Sequence, residues 1–350
     1  MTFTEELKAT AQAMVAMGKG ILAADESFDT ANQRFQKLGI PQTVEMRRAY
    51  REMLFTTAGI EKFISGAILF DETIRQATQD GVLFTKVLQD AGIIPGIKLD
   101  AGAKPLAGFR HERITEGLDR LRDRIDEYYS LGARFAKWRA VIAIGKDIPS
   151  QCCIEANADA LARYAALCQE GGLVPIIEPE VLMDGDHIIA ESFEVHQRVL
   201  HAVFKRLYLY RIQLDQMILK PSMVIAGMDC PQQSSVEQVA QATVECLRNH
   251  VPASVPGCTF LSGGQSTELA TAHLNAMNRL SKKQLPWMLT FSYGRALQQE
   301  AMKTWMGKAT NVVAAQKAFS HRAQLNSAAA LGEYNSTMEV ITTASSPIPS

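Results

Sequence analysis

The chain has 350 residues, 47% of them hydrophobic and 21% charged, with a formal net charge of -1. That balance gives no electrostatic footprint for nucleic acid and no polybasic patch for a membrane surface. No apolar run approaches a transmembrane span, and Met1-Thr2-Phe3-Thr4-Glu5-Glu6 lacks the regions of a signal peptide, so a cytoplasmic protein is expected.

Along the chain, short apolar runs alternate with longer amphipathic stretches, which predicts βα units and a parallel sheet. The predicted strands, in order, are Ile21–Asp25, Gly66–Phe70, Gly96–Leu99, Arg134–Arg139, Val174–Glu178, Gln216–Lys220, Cys258–Ser262 and Met288–Ser292. Between them lie helical stretches such as Ile114–Leu131, Asn157–Gln169, Ser192–Leu214, Ser235–Arg248 and Thr267–Leu280. Eight units in this length predict one α/β domain, a (β/α)8 TIM barrel over residues 1–334 with a helix ahead of the first strand. Residues 335–350, rich in Ser, Thr and Pro, read as a mobile tail.

The six cysteines show no C-x-x-C spacing and the seven histidines are scattered, so neither set predicts a metal site. Asp184-Gly185-Asp186-His187 reads as a turn running into a helix cap. No metal and no cofactor are expected.

The two-residue period of a strand sorts the polar residues. Ala23 shares a face with Asp25, Gly96 with Lys98, and Phe135 with Lys137 and Arg139. Ile176 shares one with Glu178 and Glu180, and Ile218 with Lys220. Ser262 falls in phase with Phe260, and Ser292 with Thr290. Every strand but the second thus places a polar residue near its C-terminal end, where this fold builds its active sites.

Lys220, inside Met217-Ile218-Leu219-Lys220-Pro221, is the most telling of these. Lysine is rarely buried without a partner, and an amine desolvated at a strand end and flanked by cations favours its neutral, nucleophilic form. Such an amine attacks a ketone or aldehyde to give a carbinolamine, which loses water to become an iminium. Glu178 is the nearest carboxylate in strand order for moving the protons, and Asp25 suits the base that takes a hydroxyl proton during C–C cleavage. After strands seven and eight, Ser262-Gly263-Gly264-Gln265-Ser266 and Ser292-Tyr293-Gly294-Arg295 each open a helix, where such barrels bind phosphate. Glycine lets the backbone approach closely, and Arg295 supplies a bidentate charge.

Several ordered segments together resemble class I, Schiff-base fructose-bisphosphate aldolases. They are 18–27 (GKGILAADES), 96–100 (GIKLD), 135–139 (FAKWR), 174–180 (VPIIEPE), 219–221 (LKP), 259–266 (TFLSGGQS) and 290–297 (TFSYGRAL), and the resemblance extends to Tyr334. It implies that Lys220 forms the Schiff base, that Glu178 handles protons, and that Asp25, Lys137 and Glu180 assist cleavage. It further implies that Ser262, Gly263, Gly264, Ser292, Gly294 and Arg295 hold the phosphate on the dihydroxyacetone side. Ser27, Arg34 and Lys98 would hold the distal phosphate, with Arg139 also against the substrate. A homotetramer acting on sugar phosphates in glycolysis or gluconeogenesis is implied as well.

Two departures from the family pattern stand out. Ser27 is followed by Phe28-Asp29-Thr30 where Thr-Gly-Ser is common, which brings a carboxylate toward the distal phosphate. No aromatic residue follows Tyr334, where eukaryotic members end in a tyrosine that aids proton transfer. The alternatives are another Schiff-base barrel such as a transaldolase or deoxyribose-phosphate aldolase, an aldolase preferring another sugar phosphate, and an aldolase-like scaffold with weakened catalysis. A scaffold needs none of Asp25, Lys137, Glu178 and Lys220.

Overall fold

The computed structural model describes residues 3–281 and 284–340. Eight parallel strands close a barrel: β1 Gly20–Ala24, β2 Ile64–Leu69, β3 Ile94–Lys98, β4 Phe135–Ile142, β5 Val174–Val181, β6 Ile218–Leu219, β7 Gly257–Phe260 and β8 Met288–Tyr293. Each pairs with the next in sequence, and β8 closes on β1. The expected (β/α)8 architecture is therefore the observed one, with helices following the strands and covering the barrel's outer face.

One side chain sets the bore. Phe135 points into the barrel among Ile21, Ala23, Ile68, Val174, Ile176 and Ile218. A Cβ added to Gly96 would come within 2.3 Å of its ring, and one on Gly66 within 3.0 Å. The ring thus occupies room that β2 and β3 leave by carrying glycine. The helix Thr4–Met14 closes the end where the strands begin: its Leu7, Ala11 and Met14 join the inner cluster, and Ser65 Oγ donates to the Met14 carbonyl at 2.6 Å.

Some boundaries differ from the sequence reading, each for a local reason. β4 and β5 continue to Ile142 and Val181 because Ala140-Val141-Ile142 and Pro179-Glu180-Val181 keep pairing in register. β6 holds only two residues, since Leu214–Gln216 form a 3-10 turn ahead of it; Lys220 lies just past its end, tied by its N–H to the Ile177 carbonyl at 2.8 Å. The helix expected over Ile114–Leu131 starts only at Leu121. Ahead of it Arg113–Thr115 pair antiparallel with Ala103–Pro105, and positive φ at Gly117 (124°) and Arg120 (54°) excludes an earlier helical turn. β7 ends at Phe260, which packs with Cys258 toward the helices. The strand phase therefore does not carry on to Ser262, which belongs to the loop.

Residues 335–340, read from the sequence as the start of the mobile tail, are held on the barrel. Ser336–Glu339 form a 3-10 turn, and Glu339 pairs with Arg322 and accepts from Tyr334 Oη at 2.7 Å. The rest of the tail, 341–350, lies outside the described residues.

Candidate active site

The parallel register brings the polar strand ends to one mouth. Lys98 pairs with Lys137 across β3 and β4, and Arg139 with Glu178 across β4 and β5. Repulsion between the stacked cations is relieved by acids from neighbouring strands. Lys137 Nζ lies 2.7 Å from Asp25 Oδ2, 3.5 Å from Glu178 Oε2 and 3.8 Å from Asp100 Oδ2. Lys220 Nζ lies 3.2 Å from Glu178 Oε1. Glu178 thus bridges the two lysines, one on each oxygen, and all three residues are buried.

The two lysines are not equivalent. Burial alone would favour the neutral amine of Lys137, but Asp25, Glu178 and Asp100 outweigh it and hold the ammonium well above the usual lysine range. Burial alone would likewise raise the Asp25 carboxyl, yet Lys137 and, further off, Lys220 and Lys98 bring it down to about 2. Lys137 is therefore a fixed cation and Asp25 a fixed anion at neutral pH. Among the described residues, Lys220 has an ion pair with Glu178 alone.

Asp100 is the cup residue to which the sequence reading gave no role. Its side chain is 3% exposed and touches both Lys98, at 2.7 Å, and Lys137. The signal was present: Asp100 stands two residues past Lys98, in the same strand phase, one position beyond the predicted end of the strand at Leu99. Glu180 pairs with Arg139 at the rim, where Arg139 is 44% exposed.

The two loops after β7 and β8 meet. Gly263 (φ 58°) and Gly264 (φ 98°) form a left-handed turn that disfavours any side chain, and Nη2 of Arg295 would stand 3.3 Å from a Cβ on Gly264. Arg295 opens the helix Arg295–Trp305, with Gly294 as its N-cap. Ser262 and Ser292 are buried, and Ser292 Oγ has no hydrogen-bond partner. Among the described residues no carboxylate pairs with Arg295. An exposed guanidinium, a glycine turn, a helix N-terminus and an unpartnered hydroxyl make a cradle suited to a phosphate.

The residues assigned to the distal phosphate are engaged otherwise. Ser27 caps the helix Phe28–Gln36 by accepting from Thr30 N at 3.5 Å, with Asp29 in that helix's first turn. Arg34 pairs with Glu26, which also accepts from Arg51 at 2.7 Å. Lys98 is held by Asp100. His187, in the turn after β5, is buried, and no His, Cys, Asp or Glu group among the described residues could hold a metal ion.

A parallel barrel whose mouth gathers lysines, carboxylates and a phosphate cradle is the frame of an enzyme that works on small phosphorylated carbonyl compounds. The family described as class-I fructose-bisphosphate aldolase matches residues 6–347, and the chain belongs to that family. It is 60% identical over 331 residues to a probable fructose-bisphosphate aldolase class 1 of Xanthomonas campestris, covering 94% of this chain and 98% of that one. To the fructose-bisphosphate aldolase of Dictyostelium discoideum it is 53% identical, covering 95% and 93%. Among solved structures, the fructose-bisphosphate aldolase of Plasmodium falciparum, in complex with TRAP and a small-molecule inhibitor, superposes with a TM-score of 0.94 at 48% identity, covering 95% of this chain and 96% of that one. Transaldolase and deoxyribose-phosphate aldolase are thereby set aside.

Proposed function

We propose that the protein cleaves fructose 1,6-bisphosphate reversibly into dihydroxyacetone phosphate and glyceraldehyde 3-phosphate through a Schiff base on Lys220, as a metal-independent lyase. The observation that carries the reading is the contrast between the two buried lysines sharing Glu178. Three carboxylates hold Lys137 as an ammonium, whereas Lys220 faces one, which makes it the less encumbered nitrogen of the two.

Lys220 Nζ attacks the C2 carbonyl to give a carbinolamine, and Glu178, within reach of that nitrogen, returns a proton to the departing hydroxyl as the iminium forms. The iminium draws the electron pair of the C3–C4 bond as Asp25 accepts the C4 hydroxyl proton. Asp25 is anionic at neutral pH, the state a base requires. Lys137, fixed beside it, stabilises the negative charge that develops during cleavage. Glu180 orients Arg139 at the rim. The enamine left on Lys220 is then protonated and hydrolysed. The cradle of Ser262, Gly263, Gly264, Ser292, Gly294 and Arg295 takes the phosphate on C1; Ser27, Arg34 and Lys98 take the one on C6.

The same reading places the enzyme in the cytoplasm, in glycolysis or gluconeogenesis, as a homotetramer. Family membership supports it, and no helix among the described residues is long and apolar enough to cross a membrane. The deciding experiment is borohydride reduction in the presence of dihydroxyacetone phosphate, followed by peptide mapping. A reduced adduct on Lys220 is expected; wild-type protein that gives none is a scaffold and not an aldolase. Light scattering of the eluted protein reads the assembly, and a mass of one or two chains would remove the tetramer.

A further inference from the structure

Asp100 carries the strongest unassigned role in the molecule. Two backbone amides fix its carboxylate: Gly102 N–H donates to Oδ1 at 3.1 Å and Arg139 N–H to Oδ2 at 3.4 Å. Each oxygen then faces a different lysine. Oδ1 lies 2.7 Å from Lys98 Nζ, and Oδ2 3.8 Å from Lys137 Nζ. The Lys98 ammonium also donates to the Asp100 carbonyl at 2.7 Å. Lys98 is 16% exposed and can meet a ligand from solvent, while Lys137 is 4% exposed and closed in. Asp100 also balances the mouth: Lys98, Lys137, Arg139 and Lys220 face Asp25, Glu178 and Glu180, and the fourth negative charge is Asp100.

We infer that Asp100 is a positioning residue that couples recognition of the distal phosphate at Lys98 to the hold on Lys137. This rests on the aldolase reading and extends it. A phosphate arriving at Lys98 competes with Asp100 for the same ammonium. As Lys98 turns to the phosphate, the carboxylate, still pinned by its two amides, is left more fully to Lys137. A substrate whose distal end is a hydroxyl leaves Lys98 on Asp100 and gives no such shift. Asp100 therefore weakens binding of the bisphosphate and favours its turnover, and it does neither for the 1-phosphate.

Steady-state kinetics on fructose 1,6-bisphosphate and fructose 1-phosphate test this with Asp100→Asn. The KM for the bisphosphate should fall at least threefold while that for the 1-phosphate stays within twofold. The kcat for the bisphosphate should fall at least threefold more than the kcat for the 1-phosphate. Asp100→Glu, which restores the charge, should bring the bisphosphate KM back to within twofold of wild type. Equal factors on both substrates would mean that Asp100 only supports the fold, and would overturn the coupling. Should Asp100→Asn not fold, Lys98→Met carries the test from the other end. It leaves Asp100 to Lys137 whichever substrate is bound, so kcat for the 1-phosphate should rise at least threefold toward that for the bisphosphate, and a change confined to KM overturns the proposal. Wild-type protein that neither cleaves the bisphosphate nor is trapped by borohydride fails the aldolase reading itself. Wild-type activity with equal changes in the variants fails only the role of Asp100.

Discussion

At the scale of single residues, the division of labour proposed for Lys220 and Lys137 rests on how many carboxylates each faces. Lys220→Met keeps the volume and removes the amine, so cleavage should fall by at least about a thousandfold, about 4 kcal/mol of barrier. Retention of more than a few per cent of the wild-type rate would take Lys220 out of the chemistry. The two proposed phosphate sites should separate by substrate. Arg295→Ala removes a guanidinium that no described carboxylate shares, and should cost about 1.5–3 kcal/mol in kcat/KM on both the bisphosphate and the 1-phosphate. Lys98→Ala should hurt mainly the bisphosphate, and equal losses on the two substrates would refute the assignment of the two ends. Lys220, Lys137 and Glu178 were legible because strand phase alone puts them on one face. Asp100 escapes the strand phase because the apolar run that predicts the strand ends at Leu99, one residue before it. The engagement of Arg34 with Glu26 was invisible, since it needs the loop before the helix Phe28–Gln36 to fold back on it, and Arg51 joins the same carboxylate from a separate helix.

Among the elements, the barrel's bore shows what pattern reading recovers and what it leaves out. Short apolar runs between longer amphipathic stretches located all eight strands, but nothing in the sequence of β2 or β3 says that their glycines answer to Phe135 on β4. Gly96→Ala should cost about 1–3 kcal/mol by overpacking, read as a lower Tm, and Phe135→Leu in the same chain should recover part of it. If Gly96→Ala melts like wild type, the ring does not set the bore. The tail is the other case. Composition alone makes deletion of Ser336–Ser350 a mild change, within about threefold in rate. The fold makes it two changes at once, because it also strips Glu339 from Arg322, whose side chain is 6% exposed. Burial would raise the Glu339 carboxyl, but hydrogen bonds from Arg322 and Tyr334 outweigh it and hold it below the usual range. Its stabilisation is therefore full above the unfolded-state value and is lost as pH falls through the folded one. Glu339→Gln should cost about 1–2 kcal/mol at neutral pH, below the full value for a buried pair because Glu339 is 23% exposed. Deletion after Val340 should spare Tm and leave the cleavage rate within about threefold. A tenfold loss of rate with Tm unchanged would show that residues 341–350 reach the cup.

For the molecule as a whole, the question is where the electrons of the broken C–C bond go. Retro-aldol cleavage needs an acceptor conjugated to the carbon that keeps the pair. A metal bound to the carbonyl oxygen is one solution, and a protonated imine on a lysine is another. The acids at this mouth are each committed to a cation: Asp25 and Asp100 to Lys137, Asp100 to Lys98, Glu178 to both central lysines, and Glu180 to Arg139. A divalent cation entering there would have to displace an ammonium from every carboxylate it took, and its positive charge would face Lys137 at close range. The site instead suits an iminium, whose single positive charge arises on Lys220 itself and stays beside Glu178. Prolonged dialysis against EDTA should therefore leave kcat/KM on the bisphosphate within about twofold, a barrier change under about 0.5 kcal/mol. Borohydride with dihydroxyacetone phosphate should inactivate the dialysed enzyme as fully as the untreated one. Loss of activity to EDTA that zinc restores, with no adduct on Lys220, would place the electron sink on a metal and overturn the Schiff-base mechanism while leaving the barrel and its phosphate cradles as described.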